Sequence, residues 1–264
     1  MKQLLKKLGR ALGVDLKRLP DPALPFVHQI RYRGLTFPFW IANRHAKAWW
    51  ANPELDAANA QYRTQEAMCS PGSVVFDVGA HHGMNAVLCA LCAGPTGQVH
   101  AFEANRENAL VLSANIGLNR LTHCFCVPAA VGDKDGEVSV AGECVAGSNG
   151  LGSKTTMLAL DSYCSRQGIP KVDVLIIDVE GFEAAVLRGA KQLLAARPKI
   201  DLELHLDDLS RYGHSVADVL GQLDLKAYKA FMMVRPDWKV SAPFTDAAQL
   251  PRTGVANLFL WPAD

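Results

Sequence analysis

Val74-Val75-Phe76-Asp77-Val78-Gly79-Ala80-His81-His82-Gly83 is the stretch on which the fold of this chain turns. A short apolar run suited to a buried strand ends in a glycine-bounded loop, and a helical run starts at Met84. Strand, tight glycine turn and helix form the opening unit of an open α/β sheet, in which ligands bind beyond the carboxyl ends of the strands. Downstream, Gln98–Phe102, Cys124–Val127, Val172–Ile177 and Lys199–Leu204 read as strands. Helices are expected over Glu107–Ile116, Glu183–Ala196 and near Val216–Leu223. Val172–Ile177 is apolar almost without alternation, as in a strand covered on both faces. Further strands are expected at Glu137–Val140, Tyr228–Val234 and Asn257–Trp261. Strands alternating with helices predict a doubly wound, mostly parallel sheet over residues 71–264.

Upstream, residues 1–70 read as an extension of that domain. It opens with a basic amphipathic helix that carries Leu4, Leu5, Leu8 and Leu12 on one side. Its charges recur too often for a signal peptide. The helix packs on the body or frays in solvent, or else makes a weak contact with an anionic membrane surface through residues 1–12. Pro20, Pro22 and Pro25 mark a linker. His28–Tyr32 and Leu35–Ile41 flank Gly34 as a hairpin, with Pro38 confining the second strand to an edge. A helical stretch through Leu55, Ala58 and Tyr62 then runs towards Met68. Trp40, Trp49, Trp50 and Tyr62 are expected first to pack this segment onto the domain, and second to line an acceptor pocket.

Composition narrows the class. With 49% apolar and 20% charged residues over 264 positions, the chain can bury a sizeable core. The net charge of +1 and the absence of a basic cluster in the main body argue against a nucleic-acid partner. Seven cysteines, an odd number set mostly in apolar runs, read as buried thiols of a cytoplasmic protein rather than a disulfide framework. Cys89 and Cys92 form a CxxC inside an apolar helix, with no second CxxC to complete a zinc site.

The loop indicates the ligand. Gly79 permits a tight turn and close approach, and Gly83 relieves crowding where the helix begins. Glu103 lies 20 positions after Gly83, where a carboxylate can grip the hydroxyls of a ribose. The loop is not GxGxxG, and Asp77 sits at the strand end where a pyrophosphate would be repelled. A nucleoside with an ammonium and a sulfonium but no phosphate, S-adenosylmethionine, suits this acidic end better than NAD.

Four blocks between Val74 and His205 resemble the FkbM family of methyltransferases. They are Phe76-Asp77-Val78-Gly79-Ala80 with Gly83; Ala101-Phe102-Glu103 with Asn105; Thr156 to Asp161; and Ile177-Asp178-Val179-Glu180-Gly181-Phe182-Glu183 leading to Val186-Leu187-Arg188-Gly189-Ala190. The resemblance implies a Rossmann-like class I fold, S-adenosylmethionine as donor, and O-methylation of a hydroxyl on a sugar, glycan or small natural product. This chain has His81-His82 where the family usually has Asn-Ile, Ala104 where it usually has Pro, and Ile176 where it often has Lys. The last departure motivates a rival reading as a noncatalytic binding or scaffold module.

The donor is accordingly expected against Asp77, Gly79, Ala80, His81, Gly83, Glu103 and Ala104, the backbone at Ala129 and Ala130, and Asp178. Asp178, Glu180 and His205, at the ends of two adjacent strands, are the candidates for taking the proton of an attacking alcohol. Glu183, in a first helical turn, is read as structural. A divalent metal is an alternative route to the same end, but no metal ligands are assigned. Adjacent histidines in an extended segment are expected to point apart. Ser148 and Asn149, in a glycine-flanked stretch, either reach the acceptor or form an ordinary turn.

Overall fold

The computed structural model describes residues 23–51, 60–142, 144–145, 152–234 and 240–263. The expected basic helix at residues 1–12, most of the proline linker, Leu55 and Ala58, and Ser148 and Asn149 lie outside the described residues.

A hairpin comes first, β1 (Phe26–Tyr32) antiparallel to β2 (Leu35–Ile41), with Gln29 opposite Pro38. Next are α1 (Arg44–Trp50), N-capped by the Asn43 side chain on Ala46 N, and α2 (Ala60–Met68). The α/β unit opens with β3 (Val74–Val78), α3 (Met84–Ala93), β4 (Gln98–Phe102), α4 (Arg106–Leu118) and β5 (Cys124–Val127). Asn105 caps α4 by accepting from the amides of Glu107 and Asn108 at 2.8 and 3.0 Å.

The chain then makes a small sheet that the sequence reading did not foresee beyond one strand. It comprises β6 (Ala130–Val131), β7 (Gly136–Ala141), β8 (Cys144–Val145) and β9 (Ser153–Leu158), in the order β6-β9-β7-β8. There follow α5 (Leu160–Gln167), β10 (Val174–Ile177), α6 (Glu183–Arg188), α7 (Lys191–Ala195), β11 (Lys199–His205), α8 (Val216–Leu220), β12 (Tyr228–Val234), β13 (Val240–Pro243) and β14 (Val255–Pro262).

The main sheet has eight strands in the order β13-β12-β14-β11-β10-β3-β4-β5. β11, β10, β3, β4 and β5 run parallel, and β14 and β12 close the far side antiparallel. The chain lays β3, β4 and β5 outward in one direction, then returns to place β10 and β11 on the other side of β3. The order therefore reverses between β3 and β10, and that switch point opens a crevice beyond the strand ends.

One face of the sheet, carrying Val75, Val99 and Ile176, shares a core with Ile30, Phe37, Phe39 and Ile41 of the hairpin, Trp50 of α1, Met68 of α2 and Val87 of α3. The other face, carrying Phe76, Val78 and Ile177, packs on Leu160, Val186, Leu193 and Val219.

The single helix expected over Glu183–Ala196 is two. Gly189 and Ala190 break it, because a Cβ on Gly189 would lie 2.0 Å from the Gly132 carbonyl oxygen. The Gly189 carbonyl accepts from Asp161 N at 3.0 Å, and the Asp161 carboxylate accepts from Gln192 N and Leu193 N at 2.9 and 3.0 Å, which caps the second piece. Two of the blocks quoted above thus meet at this break.

Candidate functional site

The crevice is formed by the loop after β3 and the end of β10. Phe102 O accepts from the amides of Gly79 and Ala80 at 2.9 and 3.0 Å, and Val78 O accepts from Asp178 N at 2.9 Å. Gly79 has φ +90°, and a Cβ there would sit 1.7 Å from the Asp178 carbonyl oxygen. Only glycine lets the two strand ends approach this closely. Gly83, at φ +89°, begins α3 against Leu112, whose Cδ1 would lie 2.3 Å from an added Cβ. Glu103 is buried, and each of its oxygens takes a loop amide at 2.7 Å: Oε2 from His81 N and Oε1 from Asn105 N. Those bonds fix the glycine loop to the end of β4. A carboxylate oxygen has a second lone pair, so Glu103 can still accept from a cis-diol.

Asp77 is wholly buried, and the Ala86 backbone amide is the one group that favours its charged form. Burial, then the nearby charges of Asp201 and Glu103, push its carboxyl up to about 7. Ala80, Ala129 and Ala130 are buried beside the loop or at the start of β6. Ala104 follows Glu103 where the chain turns into the α4 cap.

His81 and His82 do not point apart. His81 adopts φ +50°, which breaks the extended geometry assumed for the pair and stacks the two rings with centroids 4.3 Å apart. Trp49 and Trp50 pack on His81 at 5.2 and 5.4 Å, and Asn43 Nδ2 lies 3.5 and 3.3 Å from His81 Nε2 and His82 Nε2. Trp49 stays half exposed at the rim. Asn115 of α4 is fully buried and donates to His82 O at 2.8 Å and Trp40 O at 3.2 Å, while its Oδ1 accepts from Trp40 N at 2.5 Å. One amide thus ties the hairpin to the loop. The sequence reading missed Asn43 and Asn115, for neither belongs to a motif.

The second half of the site centres on His205, at the end of β11. Its Nδ1 lies 3.1 Å from Glu183 Oε1, and its Nε2 lies 3.3 Å from Glu180 Oε2, 3.7 Å from Asp178 Oδ1 and 3.8 Å from Glu203 Oε1. Burial opposes the charged imidazole. The hydrogen bond to Glu183 and the charges of Asp178, Glu180 and Glu183 outweigh it and push His205 up to about 10. Glu183 is fully buried and also accepts from Gly181 N at 3.0 Å, so this acid at the start of α6 holds both the turn and the imidazole. Asp178 and Glu180 are about one-third exposed, and they are the cluster's opening to solvent. Glu180 has φ +52° and Gly181 φ +100°, a tight turn that swings Glu180 back towards His205.

The structure therefore brings Asp178, Glu180 and His205 together, and adds Glu203. The signal for Glu203 lay in Asp201-Leu202-Glu203-Leu204-His205, where ionisable residues recur with period two on one face of a buried strand. That face meets α2 and β14. Gln65 Nε2 donates to Asp201 at 2.8 Å, Gln61 Nε2 to Glu203 at 3.3 Å, and Asn257 Nδ2 to Asp201 and Glu203 at 3.3 and 3.1 Å. Burial holds Asp201 up at about 7.

Among solved structures, the chain is similar to an rRNA methylase from Streptococcus thermophilus (11% identity, 77% of this chain and 95% of that one, TM-score 0.48). It is similar also to a SAM-dependent O-methyltransferase from Thermotoga maritima (12% identity, 90% and 78%, TM-score 0.44). A third is a SAM-dependent methyltransferase from Aquifex aeolicus (11% identity, 76% and 89%, TM-score 0.43). No curated protein matches the chain. A family model described as the methyltransferase FkbM domain matches residues 77–230, from Asp77 of the loop through β11 and its histidine to β12. With more than half its length matched, the chain belongs to the FkbM family of methyltransferases, whose methyl donor is S-adenosylmethionine.

Proposed function

We propose that this methyltransferase transfers its methyl group to a hydroxyl oxygen of a sugar, a glycan or a small natural product. The observation that carries the reading is the grouping of Asp178, Glu180 and His205 beside the Gly79 turn at the switch point. The residues suit the donor: three carboxylates, Asp77, Glu103 and Asp178, stand at the strand ends, and a molecule with an ammonium and a sulfonium but no phosphate is attracted there. Glu103 would hold the ribose, with Ala80, His81, Gly83 and Ala104 shaping the loop around it. The backbone at Ala129 and Ala130 would flank the base, and Asp178 would face the reacting end.

S-Adenosylmethionine, when bound, supplies an electrophilic methyl carbon on a sulfonium. The acceptor oxygen forms the new O–C bond as the S–C bond breaks, and its proton must leave. With no cation beside it, His205 is held towards its charged form by the carboxylates around it, so the acceptor's proton is assigned to a carboxylate. Glu180, partly exposed and turned into the cluster, is assigned that role. His205, held by Glu183, positions Glu180 and Asp178. Alignment of the acceptor with the methyl carbon is the larger effect. The net charge of +1 favours a small acceptor over RNA. Among the described residues no helix is long and apolar enough to cross a membrane.

Calorimetric titration with S-adenosylhomocysteine tests the donor half. Saturable one-site binding is expected, weakened at least tenfold in Glu103→Ala; unchanged affinity in that variant would remove Glu103 from the site. Transfer of labelled methyl groups to hydroxylated sugars and natural products tests the acceptor half. Alkali-stable label is the signature of an ether, and label released by mild alkali would replace the alcohol with a carboxylic acid acceptor.

A further inference from the structure

We propose that Asp178, Glu203 and His205 form a site for one divalent cation of the Mn2+ or Mg2+ type at the reacting end of the crevice. The proposal deepens the methyltransferase reading and rests on it for the chemistry, though not for the binding.

One ligand atom from each of the three residues lies within 4.8 Å of the other two. His205 Nε2 is met by oxygens of Asp178, Glu180 and Glu203 at 3.7, 3.3 and 3.8 Å. A ring N–H serves one acceptor well, so carboxylates from three directions converge on a point rather than on a bond. An ion with ligands at about 2.1 Å holds neighbouring ligands about 3.0–3.4 Å apart, so small side-chain rotations complete the sphere.

The surroundings are those of a ligating histidine. Its other nitrogen, Nδ1, is bonded to Glu183 Oε1, a fully buried carboxylate. A carboxylate on one ring nitrogen fixes the tautomer and presents the other nitrogen to a metal. Glu203 is held in a similar way: Oε2 takes the amides of Gln61 and Asn257, and Oε1 is the oxygen that faces His205.

Charge gives a second, independent argument. Glu183 and Glu203 are both buried, and the second oxygen of Glu183 has no hydrogen-bond partner. Buried carboxylates favour nearby positive charge, and the imidazole that faces these two also faces the partly exposed Asp178 and Glu180. A divalent ion held among these oxygens adds positive charge beside them.

Two carboxylates favour a hard cation, and the imidazole tilts the choice from Mg2+ towards Mn2+. Asp178 lies at the cluster's partly exposed opening, through which the ion and water can enter. Three protein ligands leave three positions of an octahedral sphere for oxygens. An acceptor hydroxyl bound there loses its proton more readily, and Glu180, outside the ligand set, receives it.

The test uses the full chain, stripped with EDTA and titrated with Mn2+ alone while the electron paramagnetic resonance signal of free Mn2+ is followed. One saturable site is expected, with Mg2+ as a competitor. Asp178→Asn and Glu203→Gln should each weaken it at least tenfold, and Glu203→Gln should still bind S-adenosylhomocysteine by calorimetry. Asp178 is partly exposed, so its variant keeps the test valid if the buried Glu203→Gln chain does not fold. No saturable uptake, or wild-type uptake in Asp178→Asn, would overturn the proposal. S-Adenosylhomocysteine binding without Mn2+ uptake removes the cation and leaves the methyl-donor reading intact. Mn2+ uptake without S-adenosylhomocysteine binding supports the cation site and removes the donor reading.

Discussion

Gly79 carries more of the site than any side chain does. Its φ of +90° and its contact with the Asp178 carbonyl join the two strand ends that flank the crevice. Gly79→Ala must change that φ and push β3 and β10 apart. The expected cost is more than about 3 kcal/mol, since an overpacked contact adds to an unfavourable backbone. Urea unfolding checks it, and wild-type stability in the Gly79→Ala variant would show that the strand ends yield easily. His205 is the other deciding residue. An isolated histidine at a strand end reads as a base, but the four carboxylates around it make it a cation, or a ligand, instead. Nothing in Leu204-His205-Leu206 announces that company, because three of the partners come from the end of β10, the turn before α6, and α6 itself, and only Glu203 shares β11.

Contacts between elements explain one departure from the sequence reading and bear on one departure of the sequence from the family pattern. The break between α6 and α7 follows from Gly189 pressing on the Gly132 carbonyl, a contact between distant segments that helical periodicity cannot report. Ile176, where the family often has Lys, stands in register between Asp77 of β3 and Asp201 of β11. An ammonium there would neutralise both acids; with isoleucine, burial raises both carboxyls towards neutrality. The hairpin depends on one tie of a different kind. Asn115 imitates a strand by both donating to and accepting from Trp40, and it also holds His82 O. Asn115→Ala leaves buried polar groups unpaired and should cost about 2–4 kcal/mol. S-Adenosylhomocysteine affinity should fall with it, because the His81-His82 loop loses its anchor. Lost stability with unchanged affinity would separate the hairpin from the site.

At the scale of the whole molecule, two buried groups give stability opposite slopes with pH. Burial pushes His100, which bonds Tyr163 at 2.9 Å, down to about 4. The unfolded chain therefore takes up a proton below about 6.5 that the folded chain refuses, and stability falls as the pH drops from about 6.5 to 4. Asp77 works the other way. Its folded value of about 7 lies above the ordinary carboxylate range, so its contribution is full below about 4 and is lost as the pH rises through 7. The two windows overlap between about 4 and 6.5, so the opposite slopes largely cancel there. His100→Gln should make the melting temperature fall more steeply as the pH rises from about 4 to 7, and Asp77→Asn should make it fall more steeply as the pH drops from about 6.5 to 4. A curve unchanged by either variant would refute the assignment. The sequence by itself determined the α/β alternation, the glycine loop and its acidic partner, and the IDVEG block, because period, turn chemistry and short motifs are local properties of the chain. It also determined which residues end β10 and β11. Only the tertiary structure decided that Glu203 and Glu183 join Asp178 and Glu180 around His205, that the two histidines of the loop stack beneath Trp49 and Trp50, and that the hairpin hangs on Asn115. These depend on strand register and on crossings between distant segments, where a separation of a few ångströms turns a scatter of acids into a site.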